Sequence, residues 1–166
     1  MNLPAGVHTL QRAAIAAVAL LAATPLGIAQ PVESSAIATL FGNWRGAGRI
    51  SYSDGSSESI RCTAYYSGGA NELRMAIRCD SDKNPIDIRS RLKISGNRMS
   101  GEWEERTFNA AGTASGSVKG NSISLGIEGG AFTGSMSVSV SKSSHNVSIS
   151  AQGVAMSKVT IAFSRR

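Results

Sequence analysis

Histidine is nearly missing from this chain. There are two in 166 residues, His8 and His145. His8 falls in the N-terminal leader described below, so a Ser-His-acid triad in the mature chain would have to run through His145. No Gly-x-Ser-x-Gly elbow accompanies it, and no other base-nucleophile pair stands out, so an enzyme is not expected. Cysteine is equally sparse: Cys62 and Cys79 are the only two, too few for a structural zinc site. Charged residues make up 17% and aromatics 5%. That leaves large core side chains scarce, yet the chain is too apolar for disorder. The formal charge is +6, without a basic helix or a Lys/Arg run, so nucleic acid is not an expected partner. No apolar run reaches the ~20 residues of a membrane-spanning helix.

What the chain does contain begins with a leader. Arg12 and the amino terminus form a positive n-region, and Ala13 to Ala23 an apolar stretch, before Pro25 and Gly27. Gly27 and Ala29 then occupy −3 and −1 of a cut before Gln30, the small-residue pattern that a signal peptidase needs. Residues 1–29 are expected to be a cleavable signal peptide, and its Ala-rich character points to a bacterial periplasmic or secreted protein. After cleavage the protein is not expected to span a membrane. Export also favours pairing Cys62 with Cys79, with two buried free thiols as the alternative.

Residues 30–43 read as an arm and a short helix, Ile37–Phe41, capped by Ser34 or Ser35 and stopped by Gly42. From Trp44 to Arg166 the period is two. Apolar or small residues alternate at Trp44, Gly46, Gly48 and Ile50, at Ile60, Cys62, Ala64 and Tyr66, and so on to Val159, Ile161 and Phe163. Breaks fall at Asp54-Gly55, Gly68-Gly69, Gly96-Asn97, Gly112, Gly120-Asn121, Gly129-Gly130 and Gly153. Connections this short make neighbours antiparallel. The expected fold is all-β: an up-and-down meander of about ten strands closed into a barrel, with a two-sheet sandwich as the alternative. The opposite face carries Arg45, Arg49, Arg61, Arg74, Arg78, Arg89, Arg91 and Lys93. In an outer-membrane barrel these would face lipid, so a soluble barrel is expected.

Cys62 and Cys79 share the apolar parity that a bond between neighbouring strands requires. A two-residue turn at Gly68-Gly69 would leave them ~13 Å out of register, so a longer loop through Ala70–Glu72 is expected. Glu102 and Glu104 face outward, where Arg89 and Arg91 can pair with them. Glu105 shares the parity of Trp103, as a ligand-orienting group or as a residue at a frayed strand end. His145 starts a strand, either as a rim residue without a role or as a cofactor ligand. Small interior residues such as Gly101, Gly116, Gly134 and Ala151 leave room for an apolar ligand. The alternative is a flattened barrel packed shut by Trp44, Trp103, Phe132 and methionines.

The segment Gly42-Asn43-Trp44-Arg45-Gly46-Ala47-Gly48, with Tyr52 beyond, resembles the opening strand of calycin-type barrels. In lipocalins a short helix precedes Gly-x-Trp, and an Arg of the last strand often covers the indole; Arg165 or Arg166 would serve here. The longer glycine pattern is similar to that of nitrobindins, ten-stranded barrels holding haem through a late histidine, which implies His145. Bacterial periplasmic metalloprotease inhibitors are similar in layout too, and imply that Gln30–Ala36 inserts into a protease. The layout also resembles that of uncharacterised exported alphaproteobacterial proteins. The expected function is therefore a non-enzymatic exported barrel binding a small apolar ligand, with haem as the specific candidate. Its expected lining is Trp44, Tyr66, Trp103, Glu105, Phe132 and His145. The alternative is a protein-binding module, such as a protease inhibitor or an envelope-complex subunit.

Overall fold

The period-two pattern folds as a closed ten-stranded barrel. The computed structural model describes residues 35–83, 85–130 and 132–165. The expected leader, residues 1–29, and the arm as far as Ser34 lie outside the described residues. A helix, α1 (Ser35–Leu40), leads into β1 (Gly42–Tyr52), β2 (Ser57–Gly69), β3 (Glu72–Asp80), β4 (Ile86–Ser95) and β5 (Arg98–Glu105). The second half consists of β6 (Ala110–Lys119), β7 (Ser122–Gly129), β8 (Phe132–Val140), β9 (Ser144–Gln152) and β10 (Met156–Ser164). Each strand pairs antiparallel with the next, and β10 returns to β1 to close the barrel. Closure removes the two edges that an open meander would expose. The sandwich alternative is thereby excluded.

Two of the expected breaks fall elsewhere. Gly68 and Gly69 remain in the ladder, paired with Leu73 and Glu72, and the turn is the two residues Ala70-Asn71. The connection is as short as a hairpin allows, and no longer loop is needed. Moving the turn two residues along sets Cys62 directly opposite Cys79, where they form a disulfide with Cα atoms 4.0 Å apart. Gly112 is not a turn but lies inside β6; the chain reverses over residues 106–109 instead. Gly96 and Gly120 do turn the chain, with φ of 60° and 54°, a conformation that costs glycine no steric strain.

Inward side chains of Ile60, Ile77, Leu92, Met99, Val118, Ile123 and Val147 are all nearly inaccessible and belong to the barrel's core. A Cβ on Gly101 would sit 2.0 Å from the Arg91 carbonyl oxygen, and one on Gly116 would sit 1.9 Å from that of Ser124. These two positions are small because adjacent strands approach closely there.

One end is plugged. Leu40 of α1 is completely buried, and Trp44 Nε1 donates to its carbonyl at 2.6 Å. The Arg165 guanidinium lies 4.3 Å above the Trp44 ring and donates to the carbonyls of Thr39 and Phe41. Helix α1, Trp44 and Arg165, the residue after β10, thus meet at this end. Arg165 closes three orphan problems together: two helix-end carbonyls and the face of an indole.

Candidate functional site

The six residues expected to line one site fall into two groups at opposite ends of the barrel. Trp44, Tyr66 and His145 lie at the plugged end, near the start of β1, the end of β2 and the start of β9. Trp103, Glu105 and Phe132 lie at the open end, where β5 finishes and β8 begins.

At the plugged end, His145 is 1% exposed. Phe163 stacks on its ring with centroids 4.7 Å apart, Trp44 meets it edge-on at 4.5 Å, and Tyr66 edge-on at 5.3 Å. Tyr66 Oη and His145 Nε2 are hydrogen-bonded at 2.9 Å. Nδ1 is buried without a hydrogen-bond partner. Burial, and then the nearby Arg165 charge, push the imidazole down to about 4, so it is neutral at ordinary pH. Burial likewise raises the Tyr66 phenol, keeping it protonated.

This arrangement does not fit haem held by His145. Nε2 is occupied by Tyr66, and three aromatic rings pack around the imidazole. A porphyrin needs an open slab beside the ligating nitrogen, and this end offers only packed side chains. His145 is a core residue rather than a rim residue, and Phe163, which completes its shell, was not among the expected site residues. Its phase in β10, two residues after Ile161, was the available signal.

The open end is different. Inward-facing Tyr52, Ile86, Ile88, Trp103, Ile127, Phe132 and Met156 are only partly buried here. One row across the sheet joins Met75, Ser90, Trp103, Gly112, Gly129 and Phe132. Trp103 lies across the two glycines: a Cβ on Gly129 would come within 2.9 Å of its ring. Trp103 thereby reaches Phe132, centroid to centroid at 5.5 Å, and Nε1 donates to the Thr113 and Glu128 carbonyls. Beside it, the Ser90 hydroxyl is buried and has no hydrogen-bond partner.

Glu105 is bound within the fold. Its carboxylate accepts the Asp87 N–H at 2.9 Å and the Phe108 N–H at 2.6 Å, tying the start of β4 to the β5–β6 turn. The expected pairs of Glu102 and Glu104 are also revised. Register sets them opposite Arg91 and Arg89, but those arginines pair with Glu72 and Asp87 instead.

A carboxylate missed in the sequence sits at this mouth. Glu58 is 9% exposed, accepts the Tyr52 hydroxyl, and accepts the Lys83 N–H at 3.4 Å. Lys83 Nζ lies 4.0 Å over the Tyr52 ring. Burial first, and then Glu58, push Tyr52 up to about 12, while the Tyr52 hydrogen bond holds Glu58 below its ordinary value. The cluster fastens the β3–β4 loop to the β1–β2 hairpin. Among the described residues no group of His, Cys, Asp or Glu could hold a metal ion, and no helix is long and apolar enough to cross a membrane.

No family model and no curated protein matches the chain. Among solved structures, the crystal structure of Rv2717c from M. tuberculosis is similar to it. The TM-score is 0.67 at 13% identity, covering 81% of this chain and 97% of that one. Identity this low establishes a shared barrel fold and nothing further.

Proposed function

We propose that this chain is an exported, calycin-like binding barrel that takes a small apolar ligand at its open mouth. The carrying observation is the asymmetry of the two ends. One is closed by α1, Trp44 and Arg165. The other turns partly buried apolar side chains inward around the unpartnered Ser90 hydroxyl. An apolar wall with a few placed polar groups is what small-molecule sites generally present, and an unpaired buried hydroxyl is costly until something bonds to it. The Trp44–Arg165 plug supports the calycin reading. The leader and the Cys62–Cys79 disulfide support an oxidising compartment. Haem on His145 forms no part of this reading.

The test is titration with the neutral fluorophore N-phenyl-1-naphthylamine. Saturable enhancement is expected, weakened about tenfold or more by Ile127→Arg and reduced by Trp103→Ala. An enhancement that does not saturate, or that is unchanged in both variants, would remove the mouth as the site.

A further inference from the structure

We propose that the outer wall of β1–β4 carries a second binding site, specific for a phosphate ester. A depression of about 520 Å³ opens there, walled by Arg45, Arg78, Arg89 and Tyr65 over a floor that includes Thr63 and Ala76. Register explains the shape. Arg45, Thr63 and Arg78 form one row across β1, β2 and β3, and Tyr65, Ala76 and Arg89 form the next across β2, β3 and β4. The two short side chains, Thr63 and Ala76, sit between long ones. Arg45 and Arg78, two strands apart, therefore stand about 10 Å from each other at the backbone.

Charge decides what this depression takes. No carboxylate lines it. Asp87, on the adjoining row, contacts Arg78 and Arg89 through their Nε atoms at 3.2 and 3.4 Å. That contact fixes the two guanidinium planes and leaves their terminal N–H groups for a ligand. Arg45 has no ion pair among the described residues. Asp87, and Glu104 opposite Arg89 on β5, thus stand against three guanidiniums, which still leaves a local excess of positive charge that an anion would neutralise. A neighbouring depression of about 890 Å³ shares Arg89, Tyr65 and Ala76 with the first and adds Arg74 and Arg91, but Glu102 and Glu104 stand among its arginines.

Three guanidiniums on three separate strands match the oxygens of a tetrahedral phosphate better than the two coplanar oxygens of a carboxylate. Tyr65, half exposed beside them, offers a ring face to the organic part of the ester. The phosphate could belong to a soluble ester or to a lipid head group.

The full chain would be titrated at low salt with phenyl phosphate, by calorimetry and by amide chemical shifts. Parallel titrations use phenol and vesicles of phosphatidylglycerol or phosphatidylcholine. Saturable binding of phenyl phosphate but not phenol is expected, with shifts at Thr63, Tyr65 and Ala76. Arg45→Gln and Arg89→Gln should each weaken it tenfold or more, and Arg98→Gln, outside the depression, less than twofold. Phosphatidylglycerol vesicle binding lost in the same variants identifies a lipid source; phenyl phosphate binding without vesicle binding identifies a soluble one. The proposal fails if phenyl phosphate gives no saturable response, or if Arg98→Gln weakens it as much as Arg45→Gln does.

Discussion

His145 spends the folded state as a neutral ring among Trp44, Tyr66 and Phe163. Its folded value of about 4 lies below the ordinary 6.5, so between those pH values the unfolded chain binds the proton and the barrel does not. Stability from this residue is complete above pH 6.5 and falls as the pH drops towards 4, by roughly 3 kcal/mol in all. Urea denaturation at pH 7.5 and pH 4 should show that loss in the natural chain and a markedly smaller one in His145→Gln. A variant that loses as much stability as the parent would mean that the imidazole accepts a proton inside the barrel. Glu105 offers a second residue-scale test. Its two oxygens each accept a backbone N–H, and Glu105→Gln turns an amide N–H₂ toward one of those donors. A cost of about 1–3 kcal/mol is expected, with faster hydrogen exchange at Asp87 or Phe108 as the local readout.

Among the elements, the β2–β3 hairpin shows how one turn position governs chemistry. Parity alone put both cysteines on the same face, but only the turn at Ala70-Asn71 sets them opposite each other. The disulfide closes a sequence separation of 17 residues, for which the chain-entropy model gives about 3 kcal/mol. Reduction should lower the unfolding free energy by that amount without dissolving the fold, since the barrel is independently closed by β1 and β10. Complete unfolding on reduction would show that the covalent link outweighs strand pairing here. Strands β6 and β7 depend on glycine in another way. A Cβ at position 112 would lie 1.8 Å from the Glu128 carbonyl oxygen, so Gly112→Ala must push the two strands apart. That displacement would also disturb the seat of Trp103, and a change in tryptophan emission should accompany the lost stability.

For the molecule as a whole, closure is the decisive contact. β10 is paired on both sides, with β1 and with β9. Ending the chain before Met156 would bare both partners as edges, and it would remove Phe163 and Arg165 from the plugged end. Such a truncated chain is expected to self-associate, visible by size-exclusion chromatography, rather than persist as a nine-stranded monomer. The wall itself is uneven. Outward positions of β1–β5 carry most of the charge, whereas those of β6–β10 are mainly serine and threonine. That division places the arginine-lined depression on the first half of the barrel.

Alternation along the chain determined the strands, their number, their antiparallel order and which side chains point inward, because a pleated strand changes face at every residue. It also put Cys62 and Cys79 on one face, whereas an arginine over Trp44, Arg165 or Arg166, was implied only by the resemblance to calycin-type barrels. Three matters depended on tertiary structure. Which small residue is a turn and which a close approach, as with Gly120 and Gly112, depends on register, and register is a property of two strands. His145 and Phe163 meet across β9 and β10, and Trp103 meets Phe132 across strands β5 to β8, so no spacing in the sequence separates a sealed end from an open one. Glu58 is held by the loop that carries Lys83, a contact no period-two pattern contains. Parity assigns a side chain to a face; only closure of the barrel decides which side chains share an end.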